Sequence, residues 1–165
     1  MEEGQRQKYW LVPLIVLSVV IFDQLTKYAV AHNLEMGVPV SVLGSWVRFT
    51  YVENPNAAFG IPLCSRGGVL IPLVILVTFF VVILLLRSRS LFELVGLSLI
   101  LGGAIGNLLD RIRTGRVVDF IDIGIGPHRW PYFNIADSAV TVGVIMLAVV
   151  WLLIGTSRSK GEDAG

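Results

Sequence analysis

The chain has 165 residues, 55% of them hydrophobic and only 15% charged, with a mean hydropathy of +0.76 and a formal net charge of +1. A soluble domain carries nearer to about a quarter charged residues, and a nearly balanced charge excludes a nucleic-acid footprint and an acidic tail. A single cysteine, Cys64, excludes an internal disulfide and a multi-cysteine metal site, and His32 and His128 leave little for a histidine-based one.

Four stretches, about 10–31, 67–86, 91–109 and 138–155, are apolar and long enough to cross a bilayer, which takes roughly 20 residues. A soluble helical bundle would show a polar face on each, and none is present. The first stretch has a second reading. Trp10–Phe22 follows Arg6 and Lys8, and Ala29-Val30-Ala31 resembles a small-residue cleavage site, the pattern of a secretory signal peptide. Its far end, "DQLTK" (Asp23–Lys27), argues for retention, so one integral membrane domain over 1–165 is expected. Asp23 and Lys27 are four apart and share a helix face. A salt bridge that makes both tolerable near the interface accounts for them, with a supporting role in a site as the alternative.

Residues 38–52, "VPVSVLGSWVRFTYV", are rich in β-branched and aromatic residues around a turn signal, "GSW", and predict a small sheet at the membrane surface. Trp46, Tyr51 and Trp130 suit the interface level. "ENPNAAFGIP" reads as a loop. Cys64, in "IPLCSRGG", lacks a neighbouring base and is not a nucleophile. Four spans put both termini on one side. The short basic connection "RSRS" (87–90) reads as cytoplasmic, together with Arg6, Lys8, Arg158 and Lys160. Arg48, Arg66, Arg111, Arg113, Arg116 and Arg129 fall on the other side, so the count ties. The short loop and the termini decide, because the outer arginines sit beside acids. Segments 32–66 and 110–137 then share the outer face, and the tail from about 157 to 165 is expected to be disordered.

In the third stretch, Ser98, Gly102 and Gly106 recur every four residues, as do Gly103, Asn107 and Arg111. Small residues at that spacing allow close helix packing in lipid. They do not explain Asn107, Asp110 and Arg111 at the outer end, where a buried amide needs a partner. "FNIAD" opens the fourth stretch. Asn134 is a good N-cap, and Asp137 three residues later completes a capping-box pattern with Asp in place of Glu.

Asp119, Asp122 and Asp137 fall within nineteen residues on the outer side. Two carboxylates brought together cannot both ionise cheaply, so one keeps its proton while the other acts as base. That is the chemistry of an aspartic peptidase, and it needs no metal, cofactor, cysteine or histidine. A strand over 118–122 would point Asp119 and Asp122 to opposite faces. Spacing alone does not choose which of them joins Asp137.

Five motifs in chain order resemble the lipoprotein signal peptidases, the type II signal peptidases of bacteria. They are "DQLTK", "NPNAAFG" (Asn54–Gly60), "GGAIGNLLDR" (Gly102–Arg111), "GRVVDFID" (Gly115–Asp122) and "WPYFNIAD" (Trp130–Asp137). One departure is Asn56, where that family usually has Gly. Asn is the residue that best replaces Gly in a left-handed conformation. The resemblance implies an all-α membrane protein of four transmembrane helices with a small extracytoplasmic β-sheet cradle, multi-pass in the bacterial cytoplasmic membrane, with both termini inside and the site near the outer face. It implies a monomeric endopeptidase without cofactor that cuts diacylated prolipoproteins just before the lipidated cysteine, in contact with membrane lipid. It assigns catalysis to Asp119 and Asp137 and leaves Asp122 as a surface or supporting residue. Asn54, Asn107, Arg111 and Asn134 match positions that line and support the site, and Asp23, Lys27 and Asp110 match structural or supporting ones. A small proton-coupled transporter is the rival reading, which requires acids near the membrane midplane. A structural membrane subunit, in which the polar groups are only caps and salt bridges, is the third.

Overall fold

The structure is a computed structural model in which residues 9–55, 70–88 and 90–162 are described, the side chains of 70 and 153–162 excepted. Four helices and four strands follow in the order α1 (Leu11–Asn33), β1 (Val40–Leu43), β2 (Val47–Asn54), α2 (Leu70–Arg87), α3 (Leu91–Thr114), β3 (Val117–Ile125), β4 (His128–Arg129) and α4 (Ile135–Glu162). α3 packs against each of the other three helices, and α1 also touches α4.

α1 inverts the soluble rule of apolar inside and charged outside. Asp23 and Lys27 are 0% and 3% exposed, while Phe22 and Leu25 on the same helix are 59% and 61% exposed. In water that arrangement would be unstable, whereas in lipid the apolar faces meet hydrocarbon and charges must turn inward to pair. Among the described residues, three helical stretches are long and apolar enough to cross a membrane: Leu11–Asn33, Leu91–Thr114 and Ile135–Leu152. The second expected span, 67–86, corresponds to α2, of which Ile71–Arg87 falls just short of that length, because its expected start at 67–69 lies outside the described residues. The tail expected to be disordered differs as well. α4 continues as helix through Glu162, since no proline interrupts its backbone ladder after Gly155.

The glycines of α3 act as the sequence predicts. A Cβ on Gly102 would meet Val19 of α1 at 2.8 Å, one on Gly106 would meet Asp23 Oδ2 at 2.7 Å, and one on Gly103 would collide with the Ala136 carbonyl of α4. Bare backbone at these positions lets α1 and α4 close on α3. Val81, Leu85, Leu94, Leu97, Ile100 and Leu147 form the apolar core toward the other end of the bundle.

α3 stops at Gly115, whose φ of 74° is left-handed and whose N–H donates to the Arg111 carbonyl. The chain turns there straight into β3. The sheet has the order β1-β2-β3-β4, all neighbours antiparallel. The strand pair expected within 38–52 is the β1–β2 hairpin, and β3 and β4 complete the sheet. Its register slips between Phe49 and Val52, where three steps along β2 match the two steps from Ile121 to Asp119 on β3. One extra residue in β2 turns the rest of that strand over, because side chains alternate with period two.

Candidate active site

The slip decides which groups Asp119 and Asp122 meet. The two acids are three apart on β3 and face opposite ways. Before the bulge, Arg48 stands across from Asp122. After it, Val52 stands across from Asp119, and Asn54 is the diagonal neighbour on that same face. Asn54 Nδ2 accordingly donates to Asp119 Oδ2 at 2.8 Å.

The other oxygen of Asp119 accepts from Asn134 Nδ2 at 2.7 Å. Asn134 is fully buried and caps α4. Its Oδ1 accepts from the Asp137 N–H at 2.9 Å, and its own N–H donates to Asp137 Oδ2 at 3.3 Å. This is the capping box read from "FNIAD", and it does two jobs. The bonds that start the helix also tie Asp137 to the residue holding Asp119.

Asn107 completes the frame from α3. Its Nδ2 donates to Asp137 Oδ1 at 2.8 Å, and its Oδ1 accepts from Lys27 Nζ at 2.9 Å and Asn134 Nδ2 at 3.1 Å. An ammonium can only donate, so Lys27 fixes which end of the Asn107 amide faces the acid. Lys27 is itself held by Asp23 Oδ2 and Asp110 Oδ2, each at 2.8 Å. Asp23 Oδ1 accepts the Ala136 N–H at 2.9 Å, so the same carboxylate serves the first turn of α4. The salt bridge expected in α1 is therefore present and is also the base of the Asn107–Asn134 frame.

Asp119 and Asp137 line one cavity with Asn54, Asn107, Arg111, Val117, Val140 and Thr141, closed on one side by Trp130–Phe133. Its interior has a volume of about 90 Å³. Arg111 also donates from Nη1 to the Asn107 carbonyl at 3.2 Å. Burial pushes the Asp119 carboxyl up to about 6, against the hydrogen bond from Asn54, with the charge of Asp137 adding to the rise and the Asn134 bond and Lys27 opposing it.

Of the two places expected for Asp122, surface or supporting, the structure excludes the first, because the residue is 0% exposed. Arg48 reaches Oδ2 at 2.7 Å, Arg129 reaches Oδ1 at 2.7 Å and Thr50 donates to Oδ2 at 3.3 Å. Burial alone would raise its carboxyl, yet the two arginines hold it below the usual range. Its face of the strand places it away from the cavity.

A family model described as signal peptidase (SPase) II matches residues 15–153. The chain belongs to the signal peptidase II family. Among its relatives, the lipoprotein signal peptidase of Moorella thermoacetica is 40% identical over 153 residues, covering 91% of this chain and 97% of that one. The lipoprotein signal peptidase of Staphylococcus aureus is 40% identical over 152 residues, with 91% and 92% covered. A bacterial membrane enzyme solved by the in meso method at 2.3 Å superposes with a TM-score of 0.81 at 38% identity, covering 90% of each chain.

For this signal peptidase II chain, the residues singled out by sequence gather into one connected network. Asp119, Asp137, Asn54, Asn107 and Arg111 line the cavity. Asn134 links the two aspartates, and Asp23, Lys27 and Asp110 brace the frame from beneath. Residues 56–60 of the loop motif, with Asn56, lie outside the described residues, as does Cys64. Sequence reasoning missed Gln24. Its Nε2 donates to Asp110 Oδ1 at 2.9 Å, and its Oε1 accepts from Arg113 Nη1 at 2.8 Å. Its signal was available, because a polar residue inside "DQLTK" at span depth requires a partner.

Proposed function

We propose that this chain is the membrane aspartic endopeptidase that removes signal peptides from bacterial prolipoproteins, with Asp119 and Asp137 as its catalytic pair. The observation that carries the pair is the shared cavity. Two carboxylates from separate elements line it, and each is held by side-chain amide donors. Amide N–H groups orient carboxylates without supplying a proton, so any shared proton belongs to the acids.

In the reaction, the ionised aspartate takes a proton from a water molecule as its oxygen attacks the scissile carbonyl carbon. The protonated aspartate gives its proton to the carbonyl oxygen, forming a tetrahedral diol. Collapse returns a proton to the leaving amine, the new amino group of the lipidated cysteine, and the C–N bond breaks. A carboxyl that titrates near 6 at Asp119 suits this exchange at neutral pH. Arg111, lining the same cavity, orients a substrate carbonyl or carboxylate, and Asn54 can hydrogen-bond the locally extended substrate backbone.

Helix lengths support a four-span reading. At about 1.5 Å per residue, the 18 residues of α2 extend about 27 Å, close to a hydrocarbon core of about 30 Å. With α2 as the fourth span both termini fall on one side, and the short basic connection at 87–90 supports placing that side in the cytoplasm and the sheet on the outer face. The acids then sit at the outer interface, where a substrate that is part helix and part lipid can enter sideways. A proton relay through the midplane lacks support from this placement. The test is incubation of the purified protein in lipid with a diacylated prolipoprotein, wild type beside Asp137→Asn. Mass analysis should show cleavage just before the lipidated cysteine by the wild type alone, and full turnover by Asp137→Asn would refute the dyad.

A further inference from the structure

One wall of the cavity has an anchor of its own. Trp130, Pro131, Tyr132 and Phe133 line the cavity consecutively in the β4–α4 connection. Phe133 is tied to β3 near the acids, since its carbonyl accepts from Phe120 N at 3.0 Å and Ile121 N at 2.8 Å. The other end, at Arg129 and Trp130, is tied elsewhere. Arg129 donates from Nε to Asp122 Oδ1 at 2.7 Å, from Nη2 to the Asp122 carbonyl at 2.8 Å and from Nη1 to the Ser45 carbonyl at 2.8 Å. Asp122 in turn is gripped by Arg48, whose Nε donates to Oδ2 at 2.8 Å. Trp130 N donates to the Ile123 carbonyl at 2.8 Å. The fork therefore fixes the β1–β2 turn, β3 and the start of the wall relative to one another.

None of these bonds involves Asn54, Asn107 or Asn134, the amides that donate to Asp119 and Asp137. The two sets sit on opposite faces of β3. Gly124 serves the clamp independently, because a Cβ there would collide with the His128 carbonyl and come within 2.7 Å of the Arg129 Cα.

We infer that Asp122 is a positioning residue for substrate binding: through Arg129 it sets the Trp130–Tyr132 wall against which the prolipoprotein rests, and it takes no part in the proton transfers. The buried charge provides direction. A carboxylate facing two guanidinium groups admits few alternative geometries, so it holds a wall of bulky, partly exposed rings in one place.

This rests on the peptidase reading, and the experiment separates the two. Steady-state cleavage of a diacylated prolipoprotein is measured for the wild type, Asp122→Asn, Arg129→Gln, their double variant and Gly124→Ala. A wall displaced by about 1 Å should raise KM roughly tenfold while kcat stays within about twofold. Gly124→Ala should give the same split without altering any charge. The double variant should be no worse than the poorer single variant, because both break one clamp. A fall in kcat at unchanged KM, or additive losses in the double variant, overturns the proposal. If Asp122→Asn does not fold, Gly124→Ala and Arg129→Gln decide it by the same split. Absence of cleavage by the folded wild type would instead refute the peptidase reading.

Discussion

Replacing Asp119 by Asn should abolish cleavage and make the protein more stable at neutral pH. Asp119 is 3% exposed and its carboxyl titrates near 6 rather than 3.8. At about 1.4 kcal/mol per pH unit, holding the charge in that place costs the folded state about 3 kcal/mol. The sign follows from proton binding. Between 3.8 and about 6 the folded state holds more protons than the unfolded one, so the relative stability present below the unfolded value is lost as pH rises through the folded one. An Asn carries no charge and escapes that loss. It does give up one acceptor, because its amide can accept from Asn54 or from Asn134 but must turn an N–H toward the other. That mismatch costs about 1–2 kcal/mol. The net at pH 7.5 is a gain of about 1–2 kcal/mol, which shrinks as pH falls, changes sign at about pH 5, and becomes the full mismatch cost below about pH 4, where the wild-type acid is neutral in both states. Thermal unfolding of both proteins in the same detergent, at steps from pH 4 to 8, measures the difference. A variant less stable than wild type at pH 7.5, or a difference independent of pH, would refute the argument that burial of charge is the dominant effect at Asp119.

Other outcomes follow from the same geometry. Lys27→Met leaves Asp23 and Asp110 without their ammonium and frees the Asn107 amide to rotate, so stability should fall by about 3–5 kcal/mol in unfolding measurements. Cleavage by the fraction that remains folded should fall too. Gly103→Ala must push α4 away from α3, at about 1–3 kcal/mol, and should lower activity because Asn134 and Asp137 move with α4. Gly115→Ala meets no neighbour but sits at a left-handed φ, so it should cost about 1–2 kcal/mol of backbone strain and leave the acids in place. The Asp122 carboxyl lies below its ordinary value, so its contribution is present above the unfolded value of 3.8 and lost as pH falls through the depressed one. Hydrogen exchange at Gly124 and Trp130, whose N–H groups bond across the sheet, should therefore stay slow down to about pH 4 and quicken only below it.

The site was legible in the sequence to different depths. Asn134 and Asp137 were readable as a capping box, because that pattern is local and needs only four consecutive residues. The Asp23–Lys27 pair was equally local, as was the small-residue spacing of α3. What those groups do was not local. That the Asp23 carboxylate also receives the Ala136 N–H depends on α1 meeting α4, more than a hundred residues apart. For Asp122 the sequence leaves a surface and a supporting place both open, because nothing near it shows that Arg48 arrives across the sheet. Gln24 escaped notice because a neutral amide carries no charge signal, although its depth in the span required partners.

By itself, the sequence determined that this is a membrane protein and that the segments between its apolar stretches include a small sheet, and it pointed to chemistry by carboxylates. Composition and period suffice for those conclusions, since the cost of a charge in lipid depends on residue type and depth alone. The tertiary structure decided which acids share a cavity. A single extra residue in β2 turns Asn54 toward Asp119 and leaves Arg48 facing Asp122, and side-chain alternation converts that one-residue slip into a change of face. No pattern within β2 or β3 alone encodes the slip, because register is a property of the pair.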